Sequence, residues 1–405
     1  NTCVVVGASH AAAQLAPALR KHGWIGRIVV VGDEPCLPYH RPPLSKTYLS
    51  GEKDFHDILI KHEAAYKKAD VHFTLGVRAE SIDRESRLLR LDNGEDLHYQ
   101  KLALTVGASP RMIDLPGADK AGVYYLRNLR DVDGIRRHVG SQKKAVIIGG
   151  GYIGLETAAA LRNAGLQVTV LEALPRVLAR VTTEQISAFY TRIHQEEGVD
   201  VIVGASVSAI EGGQSVQAVI CADGARHDAD VVIIGVGVVP NTELAAAAGL
   251  EVGNGIVVDE YARTSDHDIV AAGDCTYHYN PIYERHLRLE SVQNATDQAN
   301  VAAATLCGQL EPYCALPWFW SDQYDLKLQI AGLSSGYDSV VVRGSTDHGR
   351  SFAAFYFAGP RLLAVDAVNR PQDFMLARRI IAGGQTLDLE RLADESVPVK
   401  DLVIG

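Results

Sequence analysis

The stretch Lys144-Ala145-Val146-Ile147-Ile148-Gly149-Gly150-Gly151-Tyr152-Ile153-Gly154-Leu155-Glu156 decides how the chain folds. The apolar run Ala145–Ile148 ends in glycines, and Gly149, Gly151 and Gly154 fit G-x-G-x-x-G completely. The first glycine makes a tight turn at a strand end. The second lets the backbone approach a pyrophosphate, and the third lets the next helix pack on the strand. An alanine-rich helix over Glu156–Arg162 follows, then Gly165 and a second strand, Val168–Leu171, closed by Glu172. The helix N-terminus offers free amides and positive potential to phosphates. Glu172 lies about 20 residues beyond the motif, where a carboxylate accepts from ribose hydroxyls. It would repel a 2′-phosphate, so NADH is expected rather than NADPH. The motif alone is weak; strand, motif, helix, strand and acid together are specific.

The same unit opens the chain. Thr2–Val6 is a short apolar run followed by Gly7-Ala8-Ser9-His10-Ala11-Ala12. A helical stretch passes through Leu15, Ala18 and Leu19 and stops near Gly23, and the strand Ile28–Val31 ends in Gly32-Asp33-Glu34. Ser9 and Ala12 replace the second and third glycines, yet small side chains still permit close approach, and Asp33 suits a ribose. Two βαβ units about 140 residues apart predict two dinucleotide sites. Two further stretches support the first site. Thr264–Asp274 reads T-S-D-H-D-I-V-A-A-G-D, in which a strand over Ile269–Ala272 runs into Gly273-Asp274: a glycine that admits a ligand, then a hydrogen-bonding carboxylate. Leu102–Arg111 contains Thr105-Val106-Gly107 and Pro110-Arg111, a strand ending in a glycine crossover.

The predicted fold class is α/β, with two Rossmann-like dinucleotide-binding domains and an α+β C-terminal domain. The expected boundaries are 1–113 with 242–315 for an FAD-binding domain, 114–241 for an NAD-binding domain, and 316–405 for the C-terminal domain. Turn signals at Asp92-Asn93-Gly94 and Ala222-Asp223-Gly224 mark β-rich insertions. From about Leu316 the character changes. This segment holds all but one of the tryptophans, strand-like runs at Ser339–Arg343, Phe352–Phe357 and Arg361–Val365, and a helix at about Phe374–Ala382.

Composition narrows the function. A length of 405 residues suggests two or three domains, and 47% hydrophobic with 22% charged residues is ordinary for a soluble protein. The net charge of −10 argues against general nucleic-acid binding. Apolar runs such as Val231–Val239 are too short to span a membrane, and no charged-then-apolar leader precedes the first strand, so a cytoplasmic protein is expected. Cys3, Cys36, Cys221, Cys275, Cys307 and Cys314 include no C-x-x-C. That disfavours a zinc ribbon, an iron–sulfur cluster and a thioredoxin-type dithiol, and no metal is expected. Reduced, mostly buried thiols are the plain reading.

Seven stretches carry a resemblance through nearly the whole chain. They are Pro38-Tyr39-His40-Arg41-Pro42-Pro43-Leu44-Ser45-Lys46, Gly149–Glu156, Gly273-Asp274, Glu290-Ser291-Val292-Gln293-Asn294-Ala295, Trp318-Phe319-Trp320-Ser321-Asp322-Gln323-Tyr324, Val368-Asn369-Arg370-Pro371 and Asp394-Glu395-Ser396-Val397-Pro398. The chain resembles the two-dinucleotide flavoprotein reductases, and among them the oxygenase-coupled, NADH-dependent ferredoxin reductases of the putidaredoxin reductase type. The resemblance implies FAD contacts at Ala11, Asp33, Arg41, Lys46, Ala79, Arg127, Asp274 and Val292, with Trp320 near the flavin ring. Gly7, Ser9, His10, Ala12, Glu34, Thr105, Gly107 and Gly273 complete the expected FAD set. For NAD it implies Glu156 and Glu172, alongside Gly149, Gly151, Tyr152, Ile153, Gly154, Arg180 and Gly237. Glu290 falls at a position facing NADH and is counted with the flavin set. Val106 stands where the family commonly has threonine. Lys46 and Glu156 are the catalytic candidates: an ammonium beside the isoalloxazine would stabilise negative charge on the reduced ring, and a carboxylate would hold it in place.

The implied reaction is hydride transfer from NADH to FAD. In the disulfide-reducing branch of this architecture a cysteine pair sits on the helix after the first βαβ unit; here that stretch is Arg41-Pro42-Pro43-Leu44-Ser45-Lys46, with Cys36 the nearest cysteine. Electrons are therefore expected to leave one at a time. By resemblance the acceptor is a 2Fe-2S ferredoxin of a cytochrome P450 or ring-hydroxylating dioxygenase system. It would dock transiently on a basic patch for which Arg378, Arg379 and Lys400 are candidates. A monomer or weak dimer is expected. Two rival readings share the fold: an NADH oxidase or peroxidase, which wants a redox cysteine near residues 40–46, and a redox-sensing protein like apoptosis-inducing factor, which shares Pro42-Pro43-Leu44-Ser45-Lys46.

Overall fold

Short β-branched runs with apolar side chains on both faces form inner strands of parallel sheets. In the computed structural model, which describes residues 1–140 and 142–404, the first such sheet has the order Ile269–Ala271, Lys101–Leu104, Thr2–Val6, Arg27–Gly32, Val71–Leu75. The second has the order Asp200–Val203, Gln167–Glu172, Lys144–Ile148, Val231–Ile234, Val123–Tyr124. Every ladder in both is parallel. In each, the strand that enters the glycine turn is central. The strand after the helix pairs on one side and a much later strand on the other, the switch point where such sheets bind ligands.

The chain divides into two compact units. Asn1–His40, Phe55–Ser109 and Val239–Pro317 make the first; Arg41–Asp54, Pro110–Val238 and the chain from Trp318 onward make the second. The segment Arg41–Asp54 thus groups with the second unit, although it follows the first βαβ repeat in sequence.

In the first unit the helix His10–Lys21 lies against the helix Val292–Leu306. Their buried alanines, Ala11, Ala12, Ala295, Ala299, Ala302 and Ala303, belong to one core with Val5, Val30 and Val270. Small side chains there let two backbones run close together. The turn at Asp92-Asn93-Gly94 joins strands of an antiparallel meander, Ala79–Asp83, Leu88–Leu91 and Asp96–His98. The second unit repeats this device with Val207–Gly212, Val216–Cys221 and Arg226–Asp228, so the internal repeat extends past the βαβ core.

The second unit also holds an antiparallel sheet in the order Trp318–Gln323, Leu326–Gly332, Arg361–Val368, Phe352–Ala358, Ser339–Gly344. The helix Pro371–Gly383 places Phe374, Ala377 and Ile380 in one core with Phe355, Val365 and Ala367 of the sheet. On the other face Phe352 meets Phe189 of the helix Glu184–Glu196 edge-on, with ring centroids 4.8 Å apart. Burial on both faces explains why Phe352–Phe357 reads as an unbroken apolar run rather than an alternating one. Buried Arg343 anchors the chain's last stretch: its guanidinium donates to the carbonyls of Leu392 at 3.2 Å, Asp394 at 2.5 Å and Val397 at 2.6 Å, and pairs with Asp373 at 3.3 Å. Among the described residues no helix is long and apolar enough to cross a membrane.

Candidate functional site: two glycine turns and a buried lysine–glutamate pair

The two glycine turns have the same backbone. Gly7 and Gly149 take φ of +101° and +112°, values open to glycine. A Cβ on Gly7 would stand 2.2 Å from the Thr105 carbonyl oxygen, and one on Gly149 2.4 Å from that of Gly235. Each turn amide bonds across its sheet, Gly7 to the Val31 carbonyl and Gly149 to that of Leu171, both at 2.8 Å. The copies part at the third position. A Cβ on Gly154 would lie 2.1 Å from the Gly149 carbonyl oxygen, whereas the first copy accommodates the buried methyl group of Ala12.

Both turns suit a pyrophosphate. The helices that follow, His10–Lys21 and Tyr152–Asn163, carry no acidic residue in their first turns. Gly151 caps the second, and a Cβ placed there meets nothing within 4 Å. This leaves room at a helix N-terminus for the phosphates of NADH. Glu172 is held at the turn by its own backbone: Gly150 N–H donates to Oε2 at 2.7 Å and Leu174 N–H to Oε1 at 2.8 Å. These two bonds fix the orientation of the carboxylate at the turn. Tyr152 packs on Phe319 with centroids 5.2 Å apart, and burial pushes its hydroxyl well above the ordinary value. Ile153 is half exposed, Arg180 is exposed in a turn, and Gly237 is exposed just before the strand Val238–Pro240.

In the first unit the structure gathers Gly7, Ala11, Thr105 and Gly273. The Thr105 hydroxyl lies 3.0 and 2.9 Å from the carbonyl oxygens of Val6 and Gly7. Gly273, at φ +92°, passes Ala11 and Ala295 so closely that a Cβ would touch both at 3.6 Å. Its N–H donates to Gln298 Oε1 at 2.9 Å, and the Thr276 hydroxyl donates to the same oxygen at 2.8 Å. Gly107 accepts from Asn241 N–H at 3.0 Å. Asp33 is exposed at its strand end, while Glu34 accepts from the Tyr39 hydroxyl at 2.5 Å. Ala79 opens the meander. Val292 begins its helix under the Ser291 cap, and Glu290 pairs with Arg288. The tight glycine turn at Gly7, the close approach of backbone at Gly273 and an acid-free helix start fit a second dinucleotide, FAD.

The second unit holds Arg41, Lys46, Arg127, Glu156 and Trp320, and joins Arg41 to Arg127 and Lys46 to Glu156. Arg41 donates to the Arg127 carbonyl at 2.6 Å. Pro42–Ser45 forms a 3-10 turn whose end presents Ser45 and Lys46 to Glu156. Glu156, only 2% exposed, accepts from Lys46 Nζ and from Ser45 Oγ at Oε2, both at 2.6 Å, and from Ser321 Oγ at Oε1, at 2.7 Å. Lys46 and Glu156 thus form an ion pair in the folded chain. The two serines were not expected: hydroxyl residues are too common in sequence to signal a partner more than 100 positions away. Trp320 neighbours Ser321 on the strand and stacks at 5.5 Å on Trp318.

Cys3, Cys221 and Cys275 are buried, Cys36 and Cys307 half-buried and Cys314 exposed, all as free thiols. Burial is thus less general than the plain reading supposed.

Residues 1–299 match the family described as pyridine nucleotide-disulphide oxidoreductase, and residues 318–403 match the family described as reductase C-terminal. Among curated proteins the chain is 44% identical to putidaredoxin reductase CamA of Pseudomonas putida, over 100% of this chain and 97% of that protein. It is 43% identical to rhodocoxin reductase of Rhodococcus erythropolis, over 98% and 93%. Among solved structures it superposes on the reductase of the covalent putidaredoxin reductase–putidaredoxin complex with a TM-score of 0.96 at 43% identity, covering 99% of this chain and 97% of that one. The chain therefore belongs to the pyridine nucleotide-disulphide oxidoreductase family. It is a flavoprotein oxidoreductase whose cofactors are FAD and NADH.

Proposed function

We propose that this protein is an NADH:ferredoxin reductase that delivers electrons singly to a 2Fe-2S ferredoxin serving a cytochrome P450 or a ring-hydroxylating dioxygenase. The observation that carries the reading is the buried Lys46–Glu156 pair. Lys46 lies in the stretch that corresponds to the one in which the disulfide-reducing branch carries its cysteines. The relatives' names, reductases of putidaredoxin and rhodocoxin, support the acceptor class.

Bound FAD supplies the conversion of a two-electron donation into one-electron steps. The protein's own residues do the rest. The Gly149–Gly154 turn would hold the NADH pyrophosphate, and the clamped Glu172 its ribose. Gly7, Ala11, Asp33, Thr105, Gly273, Asp274 and Val292 would hold FAD; Arg41, Arg127 and Trp320 are the further FAD contacts that the resemblance implies. Lys46 would place a positive charge beside the ring, and Glu156 would fix it there. The division into FAD-binding 1–113 with 242–315, NAD-binding 114–241 and C-terminal 316–405 belongs to this reading. So do a location in the cytoplasm, a monomer or weak dimer, and transient docking that involves Arg378, Arg379 and Lys400.

The test is NADH-driven reduction of a panel of 2Fe-2S ferredoxins by the FAD-loaded enzyme, with NADPH in parallel. Fast, NADH-specific reduction of at least one ferredoxin is expected. Rapid oxygen consumption without ferredoxin reduction would favour the oxidase. Slow turnover with a long-lived NADH complex would favour the redox sensor.

A further inference from the structure

A row of buried hydrogen bonds leads away from Glu156. Ser321 Oγ meets Glu156 Oε1 at 2.7 Å, and Gln323 Nε2 donates to Ser321 Oγ at 3.2 Å. Gln323 Oε1 lies 2.8 Å from His194 Nε2, and His194 Nδ1 lies 3.0 Å from the Tyr324 hydroxyl. Ser321, Gln323 and His194 are each at most 2% exposed. Ser321 and Gln323 alternate on the buried face of the strand Trp318–Gln323, and His194 comes from the last turn of the helix Glu184–Glu196.

The chemistry of these groups sets the proton positions. The Gln323 amide nitrogen is directed at Ser321, so its oxygen faces His194 and only accepts. His194 must then carry its hydrogen on Nε2, which leaves Nδ1 to accept from Tyr324 O–H. Burial lowers His194 to about 4, so the ring is neutral near pH 7 and one tautomer serves both bonds. Ser321 accepts from Gln323 and donates to Glu156. Every hydrogen in the row points toward the carboxylate, so each bond polarises the next in the same sense.

Without Ser321, the Lys46 and Ser45 donors would both bear on Oε2 and leave Oε1 with no bond among these partners. We propose that Ser321, Gln323 and His194 are positioning residues: they lock the Glu156 carboxylate in one orientation and thereby aim the Lys46 ammonium for hydride transfer. This rests on the reading that the Lys46–Glu156 pair serves that reaction.

The test uses the FAD-loaded full chain with ferricyanide as acceptor, so that no ferredoxin is needed. Ser321→Ala is expected to slow NADH-driven flavin reduction about 3- to 10-fold, the scale of the net contribution of one typical hydrogen bond, with the KM for NADH little changed. Ser321→Thr, which keeps the hydroxyl, should restore the rate. In a Glu156→Gln background Ser321→Ala should add nothing, because it acts through the carboxylate. A crystal structure of Ser321→Ala should show the Glu156 carboxylate rotated from its present position. If Ser321→Ala melts early, Gln323→Leu interrogates the same row one link away. A slow Glu156→Gln with a fully active Ser321→Ala and an unmoved carboxylate would overturn the positioning role alone. Wild-type rates in both Glu156→Gln and Ser321→Ala would overturn the reading on which it rests.

Discussion

Lys46 Nζ lies 2.6 Å from Glu156 Oε2 although the two residues are 110 positions apart, and the glutamate is almost wholly buried. A buried carboxylate that loses its cation costs about 3–5 kcal/mol. Lys46→Met should therefore destabilise the fold, softened by the bonds from Ser45 and Ser321, while the double variant Lys46→Met/Glu156→Gln should recover much of that loss. Stopped-flow flavin reduction should slow at least about tenfold in both variants if the ammonium stabilises developing charge. Urea denaturation separates the two effects.

Two glycines of one motif should fail in different ways. Gly154→Ala drives a methyl group to 2.1 Å from the Gly149 carbonyl oxygen. The helix must shift, at about 1–3 kcal/mol, and the melting temperature should fall. Gly151 has open space and an ordinary φ of −80°. Gly151→Ala should melt like wild type and raise the KM for NADH several-fold, because the methyl group fills the room left for pyrophosphate. A Gly151→Ala enzyme with unaltered KM would remove this turn from the nucleotide site.

The Glu172 carboxylate is fixed by two backbone amides. Glu172→Ser should relieve repulsion of a 2′-phosphate and move the ratio of kcat/KM for NADPH over NADH upward by about tenfold or more, at roughly the 1.4 kcal/mol that a tenfold change represents. Robust use of NADPH by the wild type would contradict the role given to Glu172.

Acid should destabilise the protein through two histidines. Burial lowers His194 and His278 to about 4, from an ordinary value of 6.5. Below pH 6.5 the unfolded chain takes up protons that the folded one refuses, so stability falls as pH drops toward 4, by up to about 3 kcal/mol for each ring. Buried Asp366, raised to about 6, works in the opposite sense, since the folded protein binds its proton first, and it offsets part of the loss. Neither ring nitrogen of His278 has a hydrogen-bond partner among the described residues, so His278→Phe should flatten the acid limb by about one proton. Denaturant titrations between pH 7.5 and 4.5 read this slope directly.

The three basic candidates for docking are not equivalent. Arg378 lies over the rings of Trp318 and Phe374, 5.6 Å from each centroid, while Arg379 and Lys400 are exposed. Reversing all three charges should slow ferredoxin reduction and weaken its dependence on salt. Arg378→Glu alone should also lower the melting temperature slightly through the lost cation–π contacts. An unchanged rate and salt dependence in the triple variant would exclude this patch.

Local chemistry was legible in the sequence because its causes are local. A glycine at Gly7 or Gly149 declares a backbone that other residues rarely adopt, and an acid at Glu172 sits at a distance set by one helix and one strand. The βαβ repeat, the meander turns at Asn93-Gly94 and Asp223-Gly224, and the apolar strands of the last sheet follow from period and punctuation. What surrounds Glu156 does not. Ser45, Ser321, Gln323 and His194 come from a 3-10 turn, a sheet edge and the end of a helix, and no periodicity links them. Resemblance singled out Lys46 and Glu156, but only the folded chain decided that two hydroxyls complete the carboxylate's bonds and that a neutral imidazole stands behind them. Burial is the reason: removed from water, Glu156 must find its hydrogen bonds in the protein, and those partners are chosen by packing in three dimensions rather than by order along the chain.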